Sequence, residues 1–186
     1  MPSIRNLLVP PALLVLAACT RSAPSPMPTA PAAPLETTAT IRELMSAEID
    51  PAADALWNSV TQSLSAAGEK DRQPRTAEEW EAVRHSAIVL IEATNLLVMP
   101  GRHIAPADTQ PAPGELSPDA AQRRLDSHRD EFTAFALALR AVTRKALAAI
   151  DARDAPRLFD AGAEIEEACE ACHLVYWYPP DVRPQR

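Results

Sequence analysis

Near the C-terminus the chain reads Cys169-Glu170-Ala171-Cys172-His173. Two thiols three residues apart, followed directly by an imidazole, have the C-x-x-C-H spacing of covalent c-type haem attachment. In that chemistry each thiol adds to one haem vinyl group and the imidazole binds the iron. The spacing suits a helix, because positions i, i+3 and i+4 share one face. Two other chemistries use paired cysteines. A redox dithiol is expected beside a βαβ pattern, which is not found here. A four-ligand zinc site needs a second ligand pair, and no other cysteine lies nearby. The pattern therefore names one haem c as cofactor, attached at Cys169 and Cys172, with His173 as an iron ligand.

The start of the chain bears on the compartment. Residues 1–18 read as an export signal, with Arg5 in a positive leading region and an apolar run from Leu7 to Ala18 interrupted by Pro10 and Pro11. The run is too short for an ordinary transmembrane span. It ends Leu16-Ala17-Ala18-Cys19, which resembles a bacterial lipobox and makes Cys19 the expected lipid-attachment site. The alternative is ordinary cleavage at an Ala-x-Ala-like site. The chain has three cysteines, so one would carry lipid and two would carry haem. The expected location is the periplasmic side of a bacterial membrane, where c-type haem is attached. Thr20 in place of Asp favours the outer membrane by resemblance to other lipoproteins.

Residues 19–36 are rich in Pro and Ala, a composition that cannot bury a core and stays extended. They read as a tether. Residues 37–180 fit one domain, and 181–186 form a short tail. The formal net charge of −7 argues against nucleic acid as a partner and against a basic membrane-binding face. It permits, without requiring, a redox partner protein with a positive patch.

The residues that carry chemistry need elements to position them. Few aromatics and much Ala, Leu, Glu and Arg favour helix, and no convincing alternating run marks a strand. Helical periodicity predicts a first helix over about 37–66, with an apolar face including Ile41, Met45, Ile49, Leu56 and Leu64, and Pro51 should kink or break it near Asp50. Thr76 and Glu79 have capping-box spacing for a second helix, which Pro100-Gly101 stops. A proline-rich loop covers about 100–117. Ser117-Pro118 starts a third helix with a regular seam through Leu125, His128, Phe132, Phe135 and Leu139. Asp154 and Pro156 open a fourth, with a face through Phe159, Gly162, Ile165, Cys169, Cys172 and Tyr176. The expected fold is all-α, an antiparallel up-down-up-down four-helix bundle with the haem near one end.

That topology puts the end of helix four beside the start of helix one, the end of helix two and the start of helix three. Met45 lies roughly 12 Å along helix one and His128 roughly 15 Å along helix three, so both reach the height of His173. Met99 and His103 flank the end of helix two. His85 lies roughly 21 Å from that end and reads as a surface histidine. Met45, on the apolar face, is the leading sixth ligand; its bland role is a gap-filling core methionine. His128 reads more readily as a packed histidine or a hydrogen-bond partner of a haem propionate. Arg102, Arg123, Arg124 and Arg129 are candidate propionate partners, or solvated helix charges. Tyr176-Trp177-Tyr178 would pack on the macrocycle or plug the end of the bundle.

Taken together, this layout resembles the cytochrome c-prime family, the class II c-type cytochromes. The shared features are Cys169-x-x-Cys172-His173 near the end of helix four, an aromatic at Tyr176, and Arg42-Glu43-Leu44-Met45 early in helix one. The resemblance implies His173 as proximal ligand and, in six-coordinate members, a methionine at the position of Met45. It also implies a homodimer through the first two helices. The chain departs from the family where familiar members carry a basic residue just after the aromatic; here it is Trp177.

Two functions follow as expectations. The first is single-electron transfer by a membrane-tethered monohaem cytochrome, its iron held by His173 and Met45. The second is a five-coordinate haem protein that binds nitric oxide or carbon monoxide as sensor or scavenger. The change at Trp177 weighs against the second. No nucleophile–base arrangement or pair of carboxylates argues for an enzyme, and Glu164, Glu166 and Glu167 read as a solvated face.

Overall fold

The computed structural model describes residues 35–65 and 68–182. The expected leader, the lipid site at Cys19 and nearly all of the tether lie outside the described residues. The chain is mostly helical, and none of its described helices is long and apolar enough to cross a membrane.

The first helical stretch is α1 (Ile41–Leu44), a π-helical turn (Met45–Ile49) and α2 (Asp50–Ser59), run together. Thr40 caps it. The Glu43 N–H donates to the threonine hydroxyl and the Glu43 carboxylate accepts from the Thr40 N–H. The stretch stops at Ser59, short of the expected end at 66. Val60 turns extended at φ −130°, ψ 118°. A hairpin follows, β1 (Thr61–Ser65) against β2 (Gly68–Arg72), antiparallel with Thr61 opposite Arg72. Leu64 is thus in a strand, not on a helical face. The run Thr-Gln-Ser-Leu-Ser has too few apolar residues to anchor another two helical turns, and its hydroxyl side chains compete for backbone bonds.

Next come α3 (Ala77–Leu97), α4 (Pro118–Ser127), α5 (Arg129–Asp151) and α6 (Ala155–Tyr176). Thr76 and Glu79 form the expected capping box, Ser117 caps α4 through the Ala120 N–H, and Asp154 caps α6 through the Arg157 N–H. The expected third helix is interrupted at His128, whose backbone (φ −131°, ψ 44°) leaves the helical region. Five polar residues, 126–130, stand there without an apolar anchor, and Asp130 and Glu131 suit the positive end of a new helix.

Helix α5 packs along α3 and α6, while α2 packs against α3 and α6. Neighbours run antiparallel. Arg84, early in α3, pairs with Asp151 at the end of α5, while Arg129, at the start of α5, reaches Val98 beyond the end of α3. The core between them holds Leu56, Leu90, Leu125, Leu158 and Ile165, all nearly inaccessible. Thr94 and Thr143, also fully buried, return their hydroxyls to the carbonyls of Ile91 and Leu139. Phe159 departs from its expected core position. It is 42 % exposed, and Leu158 fills the core in its place.

Candidate cofactor site

Cys169, Cys172 and His173 lie in the last two turns of α6 and line one cavity of about 250 Å³. Its other walls are largely apolar: Met45, Ile49 and Trp57 from one side, Phe132, Phe135 and Leu139 from α5. A second cavity of about 200 Å³ lies under the loop that joins α3 to α4. Met45, Asp50, Phe132, Cys172 and His173 line both cavities. Together the two spaces reach the size range of small-molecule and cofactor pockets, ~300–1,000 Å³.

Of the candidate sixth ligands, the structure brings only Met45 to the cavities with His173. His128 does not join them. It is exposed at the α4–α5 interruption, where its carbonyl accepts the Tyr176 hydroxyl at 3.0 Å. Met99 takes a contact from Arg102 at its sulfur, 3.4 Å away, and lines neither cavity. His103 and His85 are exposed.

The electrostatics favour neutral forms of the donors. Burial pushes the Cys169 thiol up to about 11, helped by Asp50 and Glu166. Burial again, with Cys169 and Glu131, pushes Cys172 up to about 12. Both are free thiols. For His173, burial lowers the imidazole, while Asp50 and Glu170 pull it back up. A neutral imidazole has the lone pair that a metal needs. Asp50 is raised mainly by burial, opposed by His173.

Four aspects of this site escaped the sequence. Asp50 faces both cavities, where a carboxylate was not expected. Trp57 lines the cavity with its indole N–H donating to the Gly162 carbonyl at 2.9 Å. The absence of a side chain at Gly162 eases that approach, since a Cβ there would sit 3.3 Å from the Trp57 ring and require it to give by a few tenths of an ångström. Glu166 is exposed, as a solvated face requires, and also stands at the cavity rim. The arginines also differ from expectation. Arg102 is buried and donates to the carbonyls of Leu96 and Ala39, and Arg129 donates to those of Val98 and Met99. Arg124 donates to the Val175 carbonyl near the end of α6 at 2.6 Å. These three satisfy helix ends, where a cation meets the negative pole of the helix.

Tyr176 is buried, edge-on to Phe132 with ring centres 5.2 Å apart, and lines the second cavity. Trp177 stands perpendicular to the His173 ring at 5.0 Å, and its carbonyl accepts from the Leu116 N–H at 2.7 Å. The loop is fastened at its other end too, where the Ile41 and Arg42 N–H groups donate to His103 and Ile104.

Comparison of the chain with protein-family profiles, with curated proteins and with solved structures finds no match. Among the described residues no group of three or more His, Cys, Asp or Glu side chains is arranged to hold a metal ion directly. A haem iron asks less of the protein, because the macrocycle fills its equatorial positions and only axial donors are needed. The donor set here fits that demand: two thiols on one helical face, a neutral imidazole beside them, and a thioether on the same cavity walls.

Proposed function

We propose that this chain is an exported, lipid-anchored, monohaem c-type cytochrome that transfers single electrons. On this reading its domain is an up-down-up-down four-helix bundle of the cytochrome c-prime kind. The observation that carries the proposal is that Cys169, Cys172, His173 and Met45 share one apolar-walled cavity. Cys169 and Cys172 fix the macrocycle by thioether bonds. His173 and Met45 would ligate its iron, and ligation by the Met45 thioether would raise the reduction potential. When bound, the haem supplies the one-electron couple. Phe132, Phe135 and Leu139 keep water from the pocket. Among the described residues Arg42 is the only lysine or arginine lining either cavity, and its ion pair with Glu115 is long at 3.9 Å. It would be available to pair with a haem propionate. A tether to the outer membrane would raise the effective concentration of membrane-bound redox partners.

The test is an optical spectrum, oxidised and reduced, of protein exported from a host that matures c-type haem. A sharp low-spin reduced spectrum indifferent to carbon monoxide supports six-coordinate iron. Met45→Ala should then convert the spectrum to high spin and lower the potential. A wild-type spectrum that is already high-spin and shifts with carbon monoxide would replace electron transfer by gas binding. Absence of covalent haem would overturn the assignment altogether.

A further inference from the structure

Resting on the cytochrome reading, we propose that residues 105–113 form a strap that gates the second cavity, pivoting at Gly114 to admit small uncharged iron ligands beside Met45 and His173. Ala105, Thr109 and Pro111 from this segment line that cavity together with Met45 and His173. Both ends of the strap are fastened to the bundle. Before it, the Ile41 and Arg42 N–H groups donate to the His103 and Ile104 carbonyls, each at 2.9 Å. The Ile104 N–H in turn donates to the Gln122 side-chain carbonyl at 2.8 Å. After it, the Leu116 N–H donates to the Trp177 carbonyl at 2.7 Å, and Glu115 faces Arg42 at 3.9 Å.

The stretch between is held differently. Among the described residues, its hydrogen bonds stay within 105–115. The Thr109 N–H donates to the Pro106 carbonyl, and the Gln110 side-chain amide to the Asp108 carbonyl. None of residues 105–113 is buried. A segment with no buried anchor and no bond to its neighbours opens at low free energy. Pro106, Pro111 and Pro113 fix φ at three positions, so the strap moves as a stiff unit. The change of direction then falls to Gly114, whose φ of 90° suits glycine and strains any other residue. Two bonds span that pivot. The Ala112 N–H donates to the Glu115 carboxylate at 2.9 Å, and the Glu115 N–H donates to the Ala112 carbonyl at 3.0 Å. Opening at Gly114 breaks both and leaves the fastened ends in place. The cavity behind has largely apolar walls, with Ile41, Ile104, Leu116 and Phe132 among them, which suits an uncharged visitor.

The test compares haem-loaded wild type with two variants. Gly114→Ala places a Cβ at positive φ and disfavours the closed strap, and Glu115→Ala removes one of the two spanning bonds by another route. Hydrogen exchange needs no iron chemistry. Gly114→Ala should speed exchange at the Ala112 and Glu115 amides by about tenfold, and leave Thr109, Ile41, Arg42 and Leu116 at their wild-type rates. Ferric protein is then mixed by stopped flow with cyanide, which enters as neutral hydrogen cyanide, and with 4-phenylimidazole. Ligand is kept where the rate is proportional to its concentration, so that the opening equilibrium multiplies the rate whatever Met45 does. Both variants should speed entry, Gly114→Ala by about tenfold, and the bulkier ligand should gain more. If either exchange at the pivot or ligand entry stays at the wild-type rate, the gate is overturned and the cytochrome stands. Faster exchange that spreads to the core amides of Leu90, Leu139 and Ile165 overturns it too, because the whole bundle has then loosened. Protein that carries no haem overturns both readings.

Discussion

The two thiols offer a direct measure of how the cavity is built. Cys169 is pushed from 9.0 up to about 11 and Cys172 from 9.0 up to about 12, chiefly because burial disfavours a charged sulfur. Alkylation proceeds through the thiolate. In the neutral range the folded chain should therefore hold about a hundredfold less reactive Cys169 than an unfolded one, and about a thousandfold less Cys172. The experiment uses protein expressed without haem maturation and checked for helical circular dichroism. Iodoacetamide labelling is followed site by site by mass spectrometry, with a urea-unfolded control. The control should stop gaining rate above its ordinary thiol pKa, while the folded chain keeps gaining about a decade per pH unit. The same shift has a stability consequence. Both pKa values are raised by folding, so the native state holds these protons more tightly. That stabilisation is complete below pH 9.0 and is lost as pH rises through about 11 and about 12. A helical, haem-free chain whose thiols react at the unfolded rate would refute their placement among Phe132, Phe135 and Leu139.

Two further outcomes concern the frame around the site. Tyr176→Phe removes the hydroxyl that joins the end of α6 to the His128 carbonyl, and should lower stability by about 1 kcal/mol in urea unfolding, the net worth of one such bond. Arg102→Met keeps an unbranched apolar stem but strands the carbonyls of Leu96 and Ala39, and should cost about 2 kcal/mol or more. It should also speed hydrogen exchange at the Ile41 and Arg42 amides, which depend on the loop that Arg102 pins. Unchanged exchange there would mean that the loop holds without its arginine.

Three helix starts were legible in the sequence because a cap is a local device, whereas the first helix begins at Ile41 rather than about 37. Thr76 with Glu79, Ser117 with Pro118, and Asp154 each satisfy backbone N–H groups within three residues. The motif was legible for the same reason: Cys169, Cys172 and His173 need only one helix to converge. What the sequence hid depends on neighbours distant along the chain. The break at His128 leaves the apolar period intact, since Leu125 and Phe132 both stay buried on either side of it. Periodicity therefore could not reveal it. Arg102 sits in a Pro-Gly loop that looks solvated, and its burial exists only because that loop closes over the start of α1. Trp57 and Gly162 lie 105 residues apart, and nothing local to either names the other.

Asp50 was hidden for a more specific reason, and the same reason bears on Met45. In a regular α-helix, residues five apart point about 140° away from each other. With Met45 on the apolar face, Asp50 would point well away from it. Pro51 changes this, and Asp50, still exposed, stands at the mouth of the cavities. The proline lacks an N–H, and its ring crowds the carbonyl four residues back. The chain accommodates it with a π-helical turn, in which the Asp50 N–H donates to the Met45 carbonyl five residues earlier. A turn closed over five residues returns Asp50 to nearly the same side as Met45. Thioether and carboxylate then line the same two cavities as His173. The proline that marks a kink or break near Asp50 in the sequence is met by a π-helical turn with the helix running on, and that wider turn brings a carboxylate to the mouth of the cavities beside Met45.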